Sequence, residues 1–378
     1  MIYRKLGRTG QKVSAVSLGG EWLIGKPPEQ VKDVIDASLD YGVNYIDIFM
    51  SQEEVRQNIG DALKGKRDKV MLAGHLGATL TEDGQYARTR DREKCIAHID
   101  DFIKRLGGDC VDVLMLHFFD EDADADGGLA PGGALDLALE LQKQGKARYI
   151  GLSSHVPTVA KRFVDTGKID VVLFTVNPLH DTQGDVVIDA LFEDKTYEGV
   201  TQGRSAQRQA FFEACMRQGS AIVSMKTYGA GRLLQPNAPL GVQLTPAQCI
   251  HYALSQAGVA AAAVGCATRA EVDAAMTYLT ATDAEKDFSV ISQSPMFGAK
   301  GACMYCNHCL PCPVGIDIAE STRILDAAKG GITETLRREY AELSVSPAAC
   351  LACGACASRC PFAVDAPANM RAVAELMG

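Results

Sequence analysis

The sequence predicts an α/β chain in which a closed (β/α)8 barrel is followed by a small, cysteine-rich α-helical module. Between residues 13 and 281, short β-branched apolar runs alternate with longer helical stretches through eight cycles. Eight of the thirteen cysteines crowd into residues 303–360 at short, regular spacings. A chain of 378 residues is long enough for one barrel of about 250–300 residues and a second unit. The division is drawn as 1–285 for the barrel and 286–378 for the module.

In chain order, the strands are expected near 13–19, 45–49, 70–75, 111–117, 147–153, 171–177, 220–226 and 260–265, each followed by a helix. The helices near 91–106 and 245–257 carry apolar residues at three-to-four spacing on one side, as a barrel's outer ring requires. Two excursions break this rhythm. The first, Asp120 to Gly133, contains Asp122, Asp124 and Asp126 at alternate positions and imitates the start of a calcium loop. Its twelfth position is Gly133, where such a loop needs a bidentate Glu, so a solvated acidic loop is expected. The second, Leu179 to Gln207, is long for a strand-to-helix connection and lies on the side where barrel active sites are built; it reads as a substrate lid or a tolerated insertion.

With 47% hydrophobic and 22% charged residues the composition is that of a globular protein, not a disordered one. A net charge of -9 offers no basic face to phosphate backbones, so nucleic acid is not an expected partner. No stretch reaches about 18 uninterrupted apolar residues and no apolar secretory segment follows Met1, so no membrane association and a cytoplasmic location are expected.

The module carries two cysteine runs. Cys303, Cys306, Cys309 and Cys312 end in Cys-Pro, as do Cys350, Cys353, Cys356 and Cys360. Three cysteines at two-residue spacing wrap one cubane, and the Cys before Pro reaches the other cluster, as in bacterial two-cluster ferredoxins. The expected sets for two 4Fe-4S clusters are therefore Cys303, Cys306, Cys309 and Cys360, and Cys350, Cys353, Cys356 and Cys312. Tetrahedral zinc is the alternative for paired C-x2-C elements. The scattered Cys95, Cys110, Cys215, Cys249 and Cys266 read as buried small residues, and His308 as a neighbour of a cluster or a surface group.

The opening Tyr3-Arg4-Lys5-Leu6-Gly7-Arg8-Thr9-Gly10, then Asn44-Tyr45-Ile46-Asp47, Asp112 to His117, Arg148 to His155, Met225-Lys226 and Val264-Gly265 resemble the landmarks of aldo-keto reductases, in the same order. The resemblance covers about residues 1–285, and the cysteine module is similar to the tail of the ferredoxin-bearing branch of that family. It implies a TIM barrel with a ferredoxin-like domain, and carbonyl reduction with NADPH or NADH by an Asp, a Tyr, a Lys and a His at the barrel mouth. Asp47 and His117 match that tetrad; the segment after Asp47 has no tyrosine, and His75 stands where the lysine is implied. Ser153, Ser154, Asn177, Lys226, Gly265 and Arg269 fall where the resemblance implies cofactor contacts, whereas Leu173 and Ala275 replace two others.

Asp47, His75 and His117 are expected to end strands at the C-terminal face, so either imidazole can replace the missing tyrosine as acid. Tyr228 is a further candidate acid or an aromatic wall, and His155 a pocket or structural residue. The same Asp and two His also have the composition of a two-histidine, one-carboxylate metal site. Trp22, the single tryptophan, reads as a pocket wall or a core residue. The functional expectation is an iron-sulfur oxidoreductase acting on a small organic substrate. The alternatives are a reductase fed by its clusters, with an electron-transfer protein as partner, and a non-catalytic scaffold.

Overall fold

The computed structural model describes residues 1–181, 205–294 and 300–378. A short hairpin of β1 (Tyr3–Lys5) and β2 (Lys12–Ser14) precedes β3 (Val16–Gly19), so the first predicted strand divides in two. β3 then closes a barrel with β4 (Tyr45–Ile48), β5 (Met71–Leu76), β8 (Val111–Leu116), β9 (Ala147–Ser154), β10 (Val171–Thr175), β11 (Ala221–Met225) and β12 (Val259–Gly265). All eight pairings are parallel, and β12 returns to β3 with Ala262 opposite Val16. β6 (Ala78–Leu80) and β7 (Tyr86–Arg88) form an antiparallel hairpin between β5 and the next helix.

Side chains alternate along each strand, and the inward set fills the barrel. Tyr45, Ala73, Val113, Met115, Val171, Leu173, Val223 and Ala261 pack there on Leu6 and Val13. Gly151 leaves room for this layer, because a Cβ on it would lie 2.2 Å from the Met115 sulfur. The outward set meets α1 (Pro28–Asp40), α2 (Glu53–Ala62) and α3 (Arg92–Leu106). It continues over α4 (Asp122–Leu129), α5 (Ala134–Lys143), α6 (Pro157–Asp165), α7 (Ala206–Gln218), α8 (Pro246–Ser255) and α9 (Arg269–Met276).

Local signals set the helix ends. The Asp91 side chain accepts from Lys94 N to start α3, and left-handed Gly107 ends it. Thr245 and Thr268 form capping boxes with Gln248 and Glu271 at α8 and α9. Phe102, fully buried on α3, packs where Gly74 has no side chain, a burial worth about 1.5–3 kcal/mol.

The expected acidic loop is instead partly α4. Asp122 and Asp124 lie in its first turn, at the positive end of the helix dipole, and all three aspartates are paired: Arg162 with Asp122 at 2.9 Å and with Asp126, and Arg90 Nε with Asp124 at 2.8 Å. Most of the second excursion, 182–204, lies outside the described residues; its flanks are buried Leu179 and the start of α7.

After α10 (Asp283–Lys286), the chain builds the module from α11 (Ile318–Ala328), α12 (Glu334–Ala341), α13 (Ala355–Arg359) and α14 (Ala366–Met377). Two small apolar clusters hold it, one around Ile324, Leu336 and Val373, the other around Ile316, Ile318 and Met370. Among the described residues no helix is long and apolar enough to cross a membrane.

Candidate active site at the barrel mouth and the cysteine module

The strand period puts the catalytic candidates together. Asp47, His75 and His117 each lie two residues beyond an inward-facing Tyr45, Ala73 or Met115, so they form the uppermost inward layer on three neighbouring strands. All three are buried. His75 Nε2 lies 3.0 Å from Asp47 Oδ1, and His75 Nδ1 lies 2.7 Å from His117 Nδ1. The two rings bond to each other rather than converging on one point, which is not the geometry of a two-histidine, one-carboxylate metal site.

The chain continues to a residue the sequence reading missed. His117 Nε2 is 2.6 Å from the Tyr86 hydroxyl, at the head of β7. The available signal was Asp83-Gly84, a turn dipeptide between two short strands. Arg90 pins the hairpin to the mouth by donating to His117 O and Phe118 O, each at 3.0 Å. Phe49 stacks on His117 at 5.6 Å and meets Tyr86 edge-on at 5.8 Å. Burial of its phenolic end pushes the Tyr86 pKa up to about 12, against the pull of Arg88 and Arg90. Burial, reinforced by neighbouring His75, holds His117 well below the usual histidine range, so its ring is neutral. Each imidazole thus has both nitrogens engaged, and the series ends at the Tyr86 hydroxyl, on the one member that is exposed as a residue.

Asp120 and His155 make a second buried pair, with His155 Nδ1 2.9 Å from Asp120 Oδ2 and His155 N donating to Asp120 Oδ1 at 2.7 Å. Burial works to raise the Asp120 pKa, but hydrogen bonds from His155 and Ser154 outweigh it and keep the carboxyl below its ordinary value. His155 Nε2 is buried without a hydrogen-bond partner among the described residues.

The other half of the mouth holds the residues for which cofactor contacts were implied. Ser154 Oγ donates to Asp120 Oδ1 at 3.2 Å, and Ser153 is buried beside it. The Asn177 amide donates to Lys226 O at 2.7 Å, while its Oδ1 accepts from the backbone of Leu179 and His180. Burial lowers the Lys226 pKa. Arg269 turns outward to Asp33 at 3.2 Å. Trp22 is 54% exposed, neither core nor enclosed wall, and its indole lies on Gly265, where an added Cβ would be 2.1 Å from Trp22 Cδ1. Tyr228 packs in an apolar layer with Leu179 and Leu233, with its hydroxyl unbonded among the described residues and its pKa pushed well up by burial.

In the module, Cys303, Cys306, Cys309 and Cys360 line one small cavity, and Cys312, Cys350, Cys353 and Cys356 line another. The two runs repeat one loop. Tyr305 and Asn307, like Ala352 and Gly354, are left-handed on either side of the second cysteine, and Tyr305 N and Ala352 N each donate to the first cysteine's sulfur at 3.4 Å. Arg359 joins the runs by donating to Cys309 O and, at 2.8 Å, to Pro311 O. Among the described residues, no group of three or more His, Cys, Asp and Glu closes on a single ion. His308 borders the first cavity, and its Nε2 lies 3.1 Å from Asp287. The five scattered cysteines are all buried.

Residues 15–239 match the profile of the Aldo/keto reductase family, more than half of the chain. The chain is 29% identical over 175 residues to the uncharacterized oxidoreductase YqkF of Bacillus subtilis, covering 45% of this chain and 54% of that protein. It is 28% identical over 186 residues to pyridoxine 4-dehydrogenase of Escherichia coli, covering 48% and 64%. The chain spans about half the length of the curated relatives it matches. The holo form of aldo-keto reductase AKR11C1 from Bacillus halodurans superposes with a TM-score of 0.59 at 21% identity, covering 79% of this chain and 97% of that one. With the parallel eight-stranded barrel and Asp47 and His117 at its mouth, this match establishes that the chain belongs to the Aldo/keto reductase family.

Proposed function

We propose that the chain is an iron-sulfur oxidoreductase that acts on a small organic substrate at the barrel mouth, with histidines where the resemblance implies a tyrosine and a lysine. The observation that carries this reading is the hydrogen-bonded series Asp47, His75, His117, buried on adjacent strands at the C-terminal face. Such a series holds and moves protons at a defined point, which an inert barrel does not need.

The module's cysteines fit two 4Fe-4S clusters of the ferredoxin-bearing kind. The cavity-lining sets are the two sets expected from spacing. Tetrahedral zinc with bonds of about 2.3 Å would draw four sulfurs to about 3.8 Å from one another, whereas a cubane holds them wider apart. Backbone N–H groups directed at Cys303, Cys350 and Cys360 sulfurs would stabilise them as thiolates. When bound, the clusters supply one-electron transfer.

The residues implied for a nicotinamide dinucleotide fit less well. Ser154, Asn177 and Arg269 are committed to Asp120, Lys226 O and Asp33, and Trp22 covers Gly265. This favours a second reading, in which electrons reach the mouth from the clusters. Cys303, Cys306 and Cys360 pack on the same apolar layer as Tyr228 and Leu179, beside the ends of β10 and β11. Cys353 and Leu351 are exposed at the outer set, where an electron-transfer protein can approach.

The test is anaerobic. Reconstituted protein should hold on the order of eight iron and eight sulfide per chain, and dithionite should develop cluster signals in electron paramagnetic resonance. One or two zinc ions with no sulfide would end this reading. Titration with NADPH and NADH then separates the electron sources: no calorimetric binding leaves the cluster-fed route, and micromolar binding restores hydride transfer.

A further inference from the structure

The histidines bury every ring nitrogen in hydrogen bonds, so neither can touch a substrate directly. Resting on the function proposed above, we infer that Tyr86, delivered by the β6–β7 hairpin, is the catalytic residue that exchanges a proton with the oxygen of a small carbonyl or hydroxyl compound, and that the Asp47–His75 pair stores this proton and passes it through His117.

The direction of each hydrogen bond follows from the acceptor end. An ionised Asp47 only accepts, so His75 Nε2–H donates to it. In the neutral state His75 Nδ1 accepts from His117 Nδ1–H, and His117 Nε2 accepts from Tyr86 O–H. Every site is used once and the series runs one way, from Tyr86 to Asp47. One added proton reverses it beyond the carboxylate. His75 as imidazolium donates from both nitrogens, His117 accepts at Nδ1 and donates from Nε2 to the Tyr86 oxygen, and the phenol hydrogen is free to face a ligand. Asp47 stabilises the imidazolium as a buried, hydrogen-bonded ion pair.

The proton balance is closed. As the oxygen of a carbonyl compound gains charge, Tyr86 Oη gives up its proton to it and takes the proton of His117 Nε2. His117 Nδ1 takes the proton of His75 Nδ1, and His75 returns to neutral. A hydroxyl compound losing its proton runs the same steps backwards. The electrons belong to the donor of the proposed function: a hydride carrier brings both together with the hydrogen that bonds to carbon, whereas two reduced clusters bring one electron each and the hydrogen on carbon is then a second proton taken from solvent; no side chain here changes oxidation state.

Three features hold Tyr86 to this task. Phe49 packs on both Tyr86 and His117, Arg90 ties the hairpin to the carbonyls of His117 and Phe118, and Gly77 lets the chain turn tightly between β5 and β6. At Gly77, φ is +102° and an added Cβ would lie 2.8 Å from the Arg90 guanidinium. The residue itself is 43% exposed, so a ligand in the mouth can reach it.

Two arms test this on the cluster-loaded protein. The first places a carbon-13 label at tyrosine Cζ and compares wild type with His75→Gln by NMR, with Tyr86→Phe used to assign the resonance. A Tyr86 signal that shifts when His75 changes, two hydrogen bonds away, supports the relay; an indifferent signal overturns it. The second offers a panel of aliphatic and aromatic aldehydes and ketones with either dithionite-reduced methyl viologen or NADPH as donor. Tyr86→Phe should lower kcat by about 100-fold or more, with KM within about threefold and iron content unchanged. Wild-type turnover retained within about threefold in Tyr86→Phe overturns the catalytic assignment and leaves the oxidoreductase reading standing. A panel wholly inert in wild type, together with a coupled Tyr86 signal, overturns the oxidoreductase reading and not the relay.

Discussion

The barrel and the cysteine module reach a folded state by different means. In the barrel, eight parallel strands wrap an apolar interior and present a second apolar face to a ring of helices. In the module, short helices share two small clusters, and the cysteine loops hold Tyr305, Asn307 and Ala352 in the left-handed region. For a non-glycine residue that conformation costs roughly 1–2 kcal/mol. The difference teaches that the barrel rests on one continuous apolar core, whereas the module has only two small ones and, on the function proposed above, would draw further stability from clusters held by its cysteines.

The sharpest way to break this comparison is to strip the iron-sulfur clusters proposed for the module. Chelator and oxidant together should abolish amide-exchange protection across α11 to α14 while the barrel strands keep theirs, as read by hydrogen-exchange mass spectrometry. Unchanged protection in the module would show that its small core suffices alone. Next in size is Gly60→Ala in α2, where the new Cβ would lie 1.9 Å from Arg105 O. Backbone cannot yield as a side chain can, so a loss of about 3 kcal/mol is expected in urea unfolding. A cost near zero would mean that α2 and α3 slide past each other freely.

A third test concerns acid. Burial lowers the His251 pKa to about 4 and holds His117 well below its ordinary value. A depressed histidine leaves the unfolded chain binding more protons below about pH 6.5, so barrel stability is full above that pH and falls as pH drops. His251 alone accounts for on the order of 3 kcal/mol between pH 6.5 and 4. Denaturant midpoints should therefore fall through this window, and His251→Gln should flatten part of the fall; an equal slope in the variant would remove His251 from the account. The smallest effect is a gain. An added Cβ at Gly127 in α4 meets nothing within 4 Å, so Gly127→Ala should raise the thermal midpoint by the equivalent of about 0.5–1 kcal/mol.

Much of this was legible in the residues. All eight strand positions emerge from alternation, because a barrel strand buried on both faces is a dense apolar run. The same period carries Asp47, His75 and His117 to the mouth. What escaped was set by partners distant in the chain. Tyr86 sits in a polar stretch whose strands are three residues long, too short for any period, and its place in the hydrogen-bonded series comes from His117, 31 residues away. The α4 helix has no amphipathic pattern and is held in part by Arg90 and Arg162. Asn177, Ser154 and Arg269 lie at the expected strand and helix ends, and their pairing with Lys226 O, Asp120 and Asp33 was not legible because each partner lies more than thirty residues away in the chain.

The position of Trp22 has a practical consequence. As the single indole of the chain, half exposed and resting on Gly265 at the rim of the barrel, it gives the protein a built-in optical probe. Any molecule that settles over the end of β12 must either slide beneath that ring or displace it. Its emission will then change colour or intensity, so entry into the mouth can be followed in real time with no label attached.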